Sequence, residues 1–147
     1  MKRIIPIARI LLGLAFVVFG LNYFLGFLPQ PPPPAPALAF LGAFAGAKYF
    51  TLIKSIEIVA GLLLLTNRFV PLALALLAPI LVGIVHFHVM LEPAGLPVPL
   101  ALVALELVLA RAYRSTFAPM LRAHVAPVVA DDTAARARPL EPAHHSA

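Results

Sequence analysis

Apolar residues in this chain come in long unbroken runs rather than in short alternation. A helix needs about 20 consecutive apolar residues to cross a bilayer. The pattern predicts four such helices: Ile4 to Leu28, Tyr49 to Leu65, Phe69 to Leu91 and Pro97 to Phe117. Breakers separate them. Gln30 with the proline cluster Pro29 to Pro36 ends the first, Thr66-Asn67-Arg68 divides the second from the third, and Glu92-Pro93-Ala94-Gly95 divides the third from the fourth. Runs this apolar have no water to satisfy their backbone groups, so they must be helical. A signal peptide is the competing reading of the first run, given its Lys2-Arg3 start. The run outlasts the usual apolar region of about 7–15 residues in such peptides.

Two stretches fall outside this pattern. In the first long connection, Pro31 to Pro34 is a stiff, polyproline-like run. The segment Ala37 to Ala47 that follows is apolar but too short to span. It is expected either as an interfacial helix or as a re-entrant turn, and a surface helix lying on the bundle is the plainer reading. After Met120 the chain turns to Ala, Pro, Arg and Asp with no apolar periodicity, and ends near the His144-His145 pair. That composition is expected to be disordered and solvated. The predicted organisation is a transmembrane domain over residues 1–118 and a cytoplasmic tail over residues 119–147.

Composition agrees with the pattern. Hydrophobic residues make up 62% of the chain and charged residues 12%, against about 45–50% and about 25% in soluble globular domains. The net charge of +5 therefore reads as a topology signal rather than as a nucleic-acid surface. Lys2, Arg3 and Arg9 lie at the start, Arg68 in the second connection, and Arg111, Arg114 and Arg122 after the fourth run. An even number of crossings puts all of them on one side, while only Lys48 falls in the opposite loops. The positive-inside rule then predicts a multi-pass protein of the plasma (inner) membrane with both termini cytoplasmic. The Pro-rich loop and the Glu92 loop face outward. Cysteine is absent, which excludes disulfide exchange, thiolate metal ligation and cysteine-held iron–sulfur clusters.

The candidate chemistry lies inside the spans. Arg9, Lys54, Glu57 and Glu106 interrupt the apolar runs, and their formal charges cancel. A charge at the bilayer centre costs about 2.5–3.5 kcal/mol on insertion scales, and such residues usually face the bundle interior and pair. At about 1.5 Å of rise per residue, Arg9 lies about 9 Å from Arg3, and Glu106 lies about 8–12 Å from Arg111 and Arg114. Their similar depth predicts an Arg9–Glu106 pair. Glu57 lies about 16 Å from Arg68, nearer the midplane. Lys54 precedes it by one turn on the same face, or snorkels to the outer surface instead. Glu57 is thus expected to be the acid left available. Asn22, His86 and His88 add neutral polar groups to the outer half. Two residues apart on a helix, the two histidines point in different directions and do not suit one metal ion. Each is either a hydrogen-bonded bundle histidine or a contact for a proton or a quinone. Gly13, Gly20 and Gly61 let helices approach closely. A short echo, Ile56-Glu57-Ile58-Val59 against Leu105-Glu106-Leu107-Val108, suggests two related hairpins.

At these residues the chain resembles the DoxX family of small four-helix membrane proteins. The resemblance is carried by Arg9-Ile10-Leu11-Leu12-Gly13-Leu14 with Phe19-Gly20-Leu21-Asn22, by Lys54-Ser55-Ile56-Glu57-Ile58-Val59-Ala60-Gly61, and by Leu105-Glu106-Leu107-Val108-Leu109 with Tyr113-Arg114. It spans roughly Ile4 to Phe117. The family takes its name from a subunit of a thiosulfate:quinone oxidoreductase, and several members are linked to redox and oxidative-stress complexes. The resemblance implies a redox-associated membrane subunit that is not catalytic alone, with a redox protein as partner and quinone as a ligand rather than a covalent cofactor.

Three functions follow as expectations. The first is an accessory or anchoring subunit of a quinone- or oxidative-stress-linked membrane system, with Arg9, Asn22, Lys54, Glu57, His86 and Glu106 as its buried polar network or ligand pocket. The second is a small proton-coupled carrier. Four short helices leave little room for a central pathway, so a carrier would need a homodimer. The third is a structural membrane protein whose ion pairs only orient its helices.

Overall fold

The computed structural model describes residues 3–29 and 31–125. Among these it is wholly helical: six α-helices and two short 3-10 turns, with no strand. The helices are α1 (Ile4–Leu25), α2 (Ala35–Gly46), α3 (Tyr49–Leu65), α4 (Val70–Leu91), α5 (Pro97–Ala112) and α6 (Arg114–Phe117). The tail expected over residues 119–147 lies outside the described residues from position 126 onward.

Proline rather than polar caps sets the helix starts. It occupies the first or second helical position of α2, α4 and α5, and no helix start carries a side-chain cap. A fixed φ and a missing N–H suit that position. The ends are set differently. Gly26 closes α1 in the left-handed conformation (φ 60°), its N–H donating to Asn22 O at 2.8 Å. The α3–α4 connection is tight because Asn67 and Phe69 both take positive φ, 56° and 52°. That conformation is common for asparagine and strained for phenylalanine.

Helices α1 and α4 are 22 residues each and apolar enough to cross a membrane. At the standard rise each is about 33 Å long. Helices α3 and α5 are shorter, 17 and 16 residues. The first span predicted to Leu28 stops at Leu25, and the fourth, predicted to Phe117, breaks at Tyr113 before α6. The segment expected at residues 37–47 is the helix α2, packed on α3 and α4.

The four long helices close a ring. Helix α1 packs on α3 and α5, and α4 packs on the same two. So α3 and α5 lie across the ring from each other. Buried positions recur every three or four residues: Ala8, Leu12, Gly13, Phe16 and Gly20 in α1, and Glu57, Ala60, Gly61 and Leu64 in α3. The same spacing gives Val70, Ala73, Leu74, Leu77 and Leu81 in α4, and Pro99, Leu102, Glu106 and Leu109 in α5. Helical periodicity places each set on one face. The opposite faces expose Leu14, Leu52, Val59, Leu72, Val82, Leu100 and Leu107. A soluble protein rarely leaves so continuous an apolar exterior.

Contact between α1 and α3 is closest. A Cβ on Gly13 would lie 2.9 Å from Gly61 O, and one on Gly61 would lie 2.8 Å from Gly13 O. The two backbones therefore touch at this crossing, as small residues allow. The ends of the ring differ in chemistry. At one end Tyr23, Phe24, Phe40, Phe44, Tyr49, Phe50 and Phe87 form a connected aromatic cluster, with neighbouring ring centroids 4.6–6.1 Å apart. At the other lie Arg3, Arg68, Arg111 and Arg114.

Candidate functional site

Two charged side chains are buried in the ring, Glu57 at 1% and Glu106 at 7% exposure. Glu57 is the central residue of α3, about 12 Å from either end. Lys54 and Glu57 lie one turn apart, and Lys54 Nζ donates to both carboxylate oxygens, at 3.0 and 2.9 Å. The lysine keeps 19% of its side-chain surface. It has bent back to the acid rather than snorkelled outward. Two charge-assisted bonds to a buried carboxylate favour that geometry. Gly20 makes the room, since a Cβ there would lie 3.3 Å from Lys54 O and 2.6 Å from Ile58.

The expected Arg9–Glu106 pair does not form. Arg9 turns instead to the end of α3, donating Nη1 to Leu64 O and Leu65 O. The last carbonyls of a helix have no partner within it and carry the negative end of its dipole, so a cation there is favoured. Similar depth was the basis for pairing Arg9 with Glu106, but depth leaves direction round the helix open. Arg9 precedes Gly13 by one turn, and the glycine face of α1 packs on α3. The glycines were the signal for its true partner.

Among the described residues Glu106 has no such partner. Its Oε2 is buried and has no hydrogen-bond partner. The sequence points to Glu57 as the available acid; in the structure Glu57 is bonded to Lys54, and it is Glu106 that lacks a bonded partner among the described residues. The repeated motif explains the difference: the residue one turn before Glu57 is Lys54, and the one before Glu106 is Val103.

The remaining predicted residues lie apart from this pair. Asn22 ties down the chain beyond α1, accepting from Leu28 N at 2.6 Å. His86 is exposed and lines an open hollow of about 400 Å³ with Val82, Val85, Val89 and Val103. His88 Nδ1 lies 2.8 Å from Ile84 O, and its Nε2 is 3.7 Å from Glu92. Its ring also lies against Gly95, where a Cβ would approach within 2.6 Å. So of the six candidates the structure joins only Lys54 with Glu57. Among the described residues no cluster of three or more His, Asp or Glu side chains is placed to hold a metal ion. The chain matches no family model, and no curated protein or solved structure matches it at a significant level.

Proposed function

We propose that this chain is a four-span protein of the inner membrane, with both termini cytoplasmic, that serves as an anchoring or accessory subunit of a membrane redox system. One observation carries the anchoring role. The ring interior is filled by Leu12, Phe16, Leu64, Leu74, Leu77, Leu81 and Leu109, each at most 2% exposed. What the chain offers other molecules is therefore its apolar exterior, the surface that lipid and partner helices meet.

The separation of aromatic and basic ends supports the orientation, since aromatic belts sit at membrane interfaces and basic residues stay cytoplasmic. Helices α3 and α5 fall short of about 20 residues, and local thinning of the bilayer or snorkelling of flanking residues accommodates such lengths at modest cost. The redox part of the reading rests on the DoxX resemblance alone. It is tested by extracting the tagged chain from its own membrane in mild detergent after cross-linking. A stoichiometric partner with flavin, haem or iron–sulfur absorbance, or bound quinone, is expected. A chain that comes out alone and without quinone overturns it.

Glu106, without a bonded partner among the described residues, favours a second reading, a small proton-coupled carrier. Intramembrane acids mark proton relays in pumps and transporters. Proteoliposomes of the intact chain should then acidify in response to a pH gradient, and Glu106→Gln should abolish that leak while preserving helicity. Wild-type vesicles that stay tight remove this reading.

A further inference from the structure

Beyond Ala112 the chain bends at Tyr113 into α6 and then into the 3-10 turn Ala118–Leu121. Tyr113 and Phe117 pack against the core, so the elbow is anchored. Between the elbow and α5 lies an open hollow of about 490 Å³, lined by Ala110, Arg114, Ser115, Phe117, Ala118 and Leu121. Ligand sites are commonly about 300–1,000 Å³ and mostly apolar with a few placed polar groups. Here the polar groups are one guanidinium and one hydroxyl. Arg111 lies one turn before Arg114, Arg122 follows the turn, and no acidic residue occurs between Glu106 and Asp131. Among the described residues Arg114 has no carboxylate within salt-bridge distance. Leu121 is 84% exposed at this basic end.

An apolar trough with a cationic, hydrogen-bonding rim is complementary to one kind of molecule. We propose that the elbow binds an anionic glycerophospholipid of the cytoplasmic leaflet. Its phosphate rests on the Arg114 guanidinium and the Ser115 hydroxyl, and an acyl chain lies along Ala110, Phe117, Ala118 and Leu121. Guanidinium matches phosphate in a forked, two-bond geometry, and basic clusters beside membrane helices select anionic headgroups. The assignment rests on the four-span reading above, which puts this elbow at the inner leaflet.

The test is native mass spectrometry of the full chain in neutral detergent with equimolar phosphatidylglycerol and phosphatidylcholine. The wild type should retain one phosphatidylglycerol in preference. Arg114→Gln should lose about fivefold of that preference, equivalent to about 1 kcal/mol for one basic residue at an anionic surface. Arg3→Gln, at the same end but outside the hollow, should keep it. No wild-type preference, or an equal loss in both variants, overturns the site. Flotation with phosphatidylcholine vesicles after a carbonate wash separates the two failures. A chain that floats without lipid preference loses the lipid site only, whereas one that washes off loses the spanning reading as well.

Discussion

Lys54→Met leaves Glu57 without a counter-charge at the middle of α3. Both of its oxygens bond Lys54 Nζ, at 3.0 and 2.9 Å, and the acid is 1% exposed. Removing one partner of a buried pair costs about 3–5 kcal/mol, because the acid is left either as an uncompensated charge or forced to take up a proton. The lysine retains 19% of its side-chain surface, so the pair is not fully enclosed and about 3 kcal/mol is the expected loss. Removing both charges, as in Lys54→Met with Glu57→Leu, abolishes the desolvation penalty along with the attraction. Such replacements are often neutral or stabilising by about 1–4 kcal/mol. The double variant should therefore be more stable than the single one, with a coupling of at least about 2 kcal/mol. The chain has no tryptophan or cysteine, so unfolding is best followed by far-UV circular dichroism as dodecyl sulfate displaces a mild detergent. If Lys54→Met costs less than about 1 kcal/mol, or if the two changes simply add, the pair is not the buried bond described here.

Three further outcomes are expected. Arg9→Gln should cost about 1–2 kcal/mol through loss of its bonds to the α3 carbonyls, and combined with Glu106→Gln the effects should add within about 0.5 kcal/mol in the same unfolding assay; strong coupling would restore the Arg9–Glu106 pair. Gly61→Ala should cost about 1–3 kcal/mol from backbone overlap with Gly13, whereas Gly83→Ala, whose Cβ meets nothing within 4 Å, should be neutral or stabilise by about 0.5–1 kcal/mol. The cysteine-free chain suits topology mapping: in intact cells an impermeant maleimide should label a cysteine at Pro32 and spare one at Ser115, and labelling of both positions, or of Ser115 alone, would reject the orientation.

The helices were legible because their limits are chemical. Tyr49 and Leu65 bound both the predicted segment and α3, since Lys48 on one side and Thr66-Asn67 on the other interrupt the apolar run. The end of the fourth was not legible. The bend at Tyr113 falls among residues that are all compatible with a helix, and only packing of Tyr113 and Phe117 on the core marks it. Sequence spacing gives the depth of the polar residues well, but their direction round the helix only through a neighbour of known contact. Lys54 with Glu57 needed no such help, because an i, i+3 pair is local to one helix. Arg9 did need it: its destination depends on where α1 meets α3, and Gly13 and Gly61 decide that crossing.

The two acids differ in what surrounds them. Glu57 and Glu106 stand forty-nine residues apart in matching apolar motifs, each on the inward face of a helix, and those helices oppose each other across the ring. The first motif places a lysine one turn before its acid, and Gly20 of α1 leaves room beside the pair. In the second, Val103 stands in place of Lys54 and Ala110 in place of Gly61. A buried acid without a partner contributes nothing to holding helices together and is costly as an ion. A purely structural requirement would be met better by leucine at position 106, as at its neighbours Leu105 and Leu107. The surroundings thus separate the two acids: Glu57 is bonded through both oxygens to Lys54, and among the described residues Glu106 Oε2 has no partner.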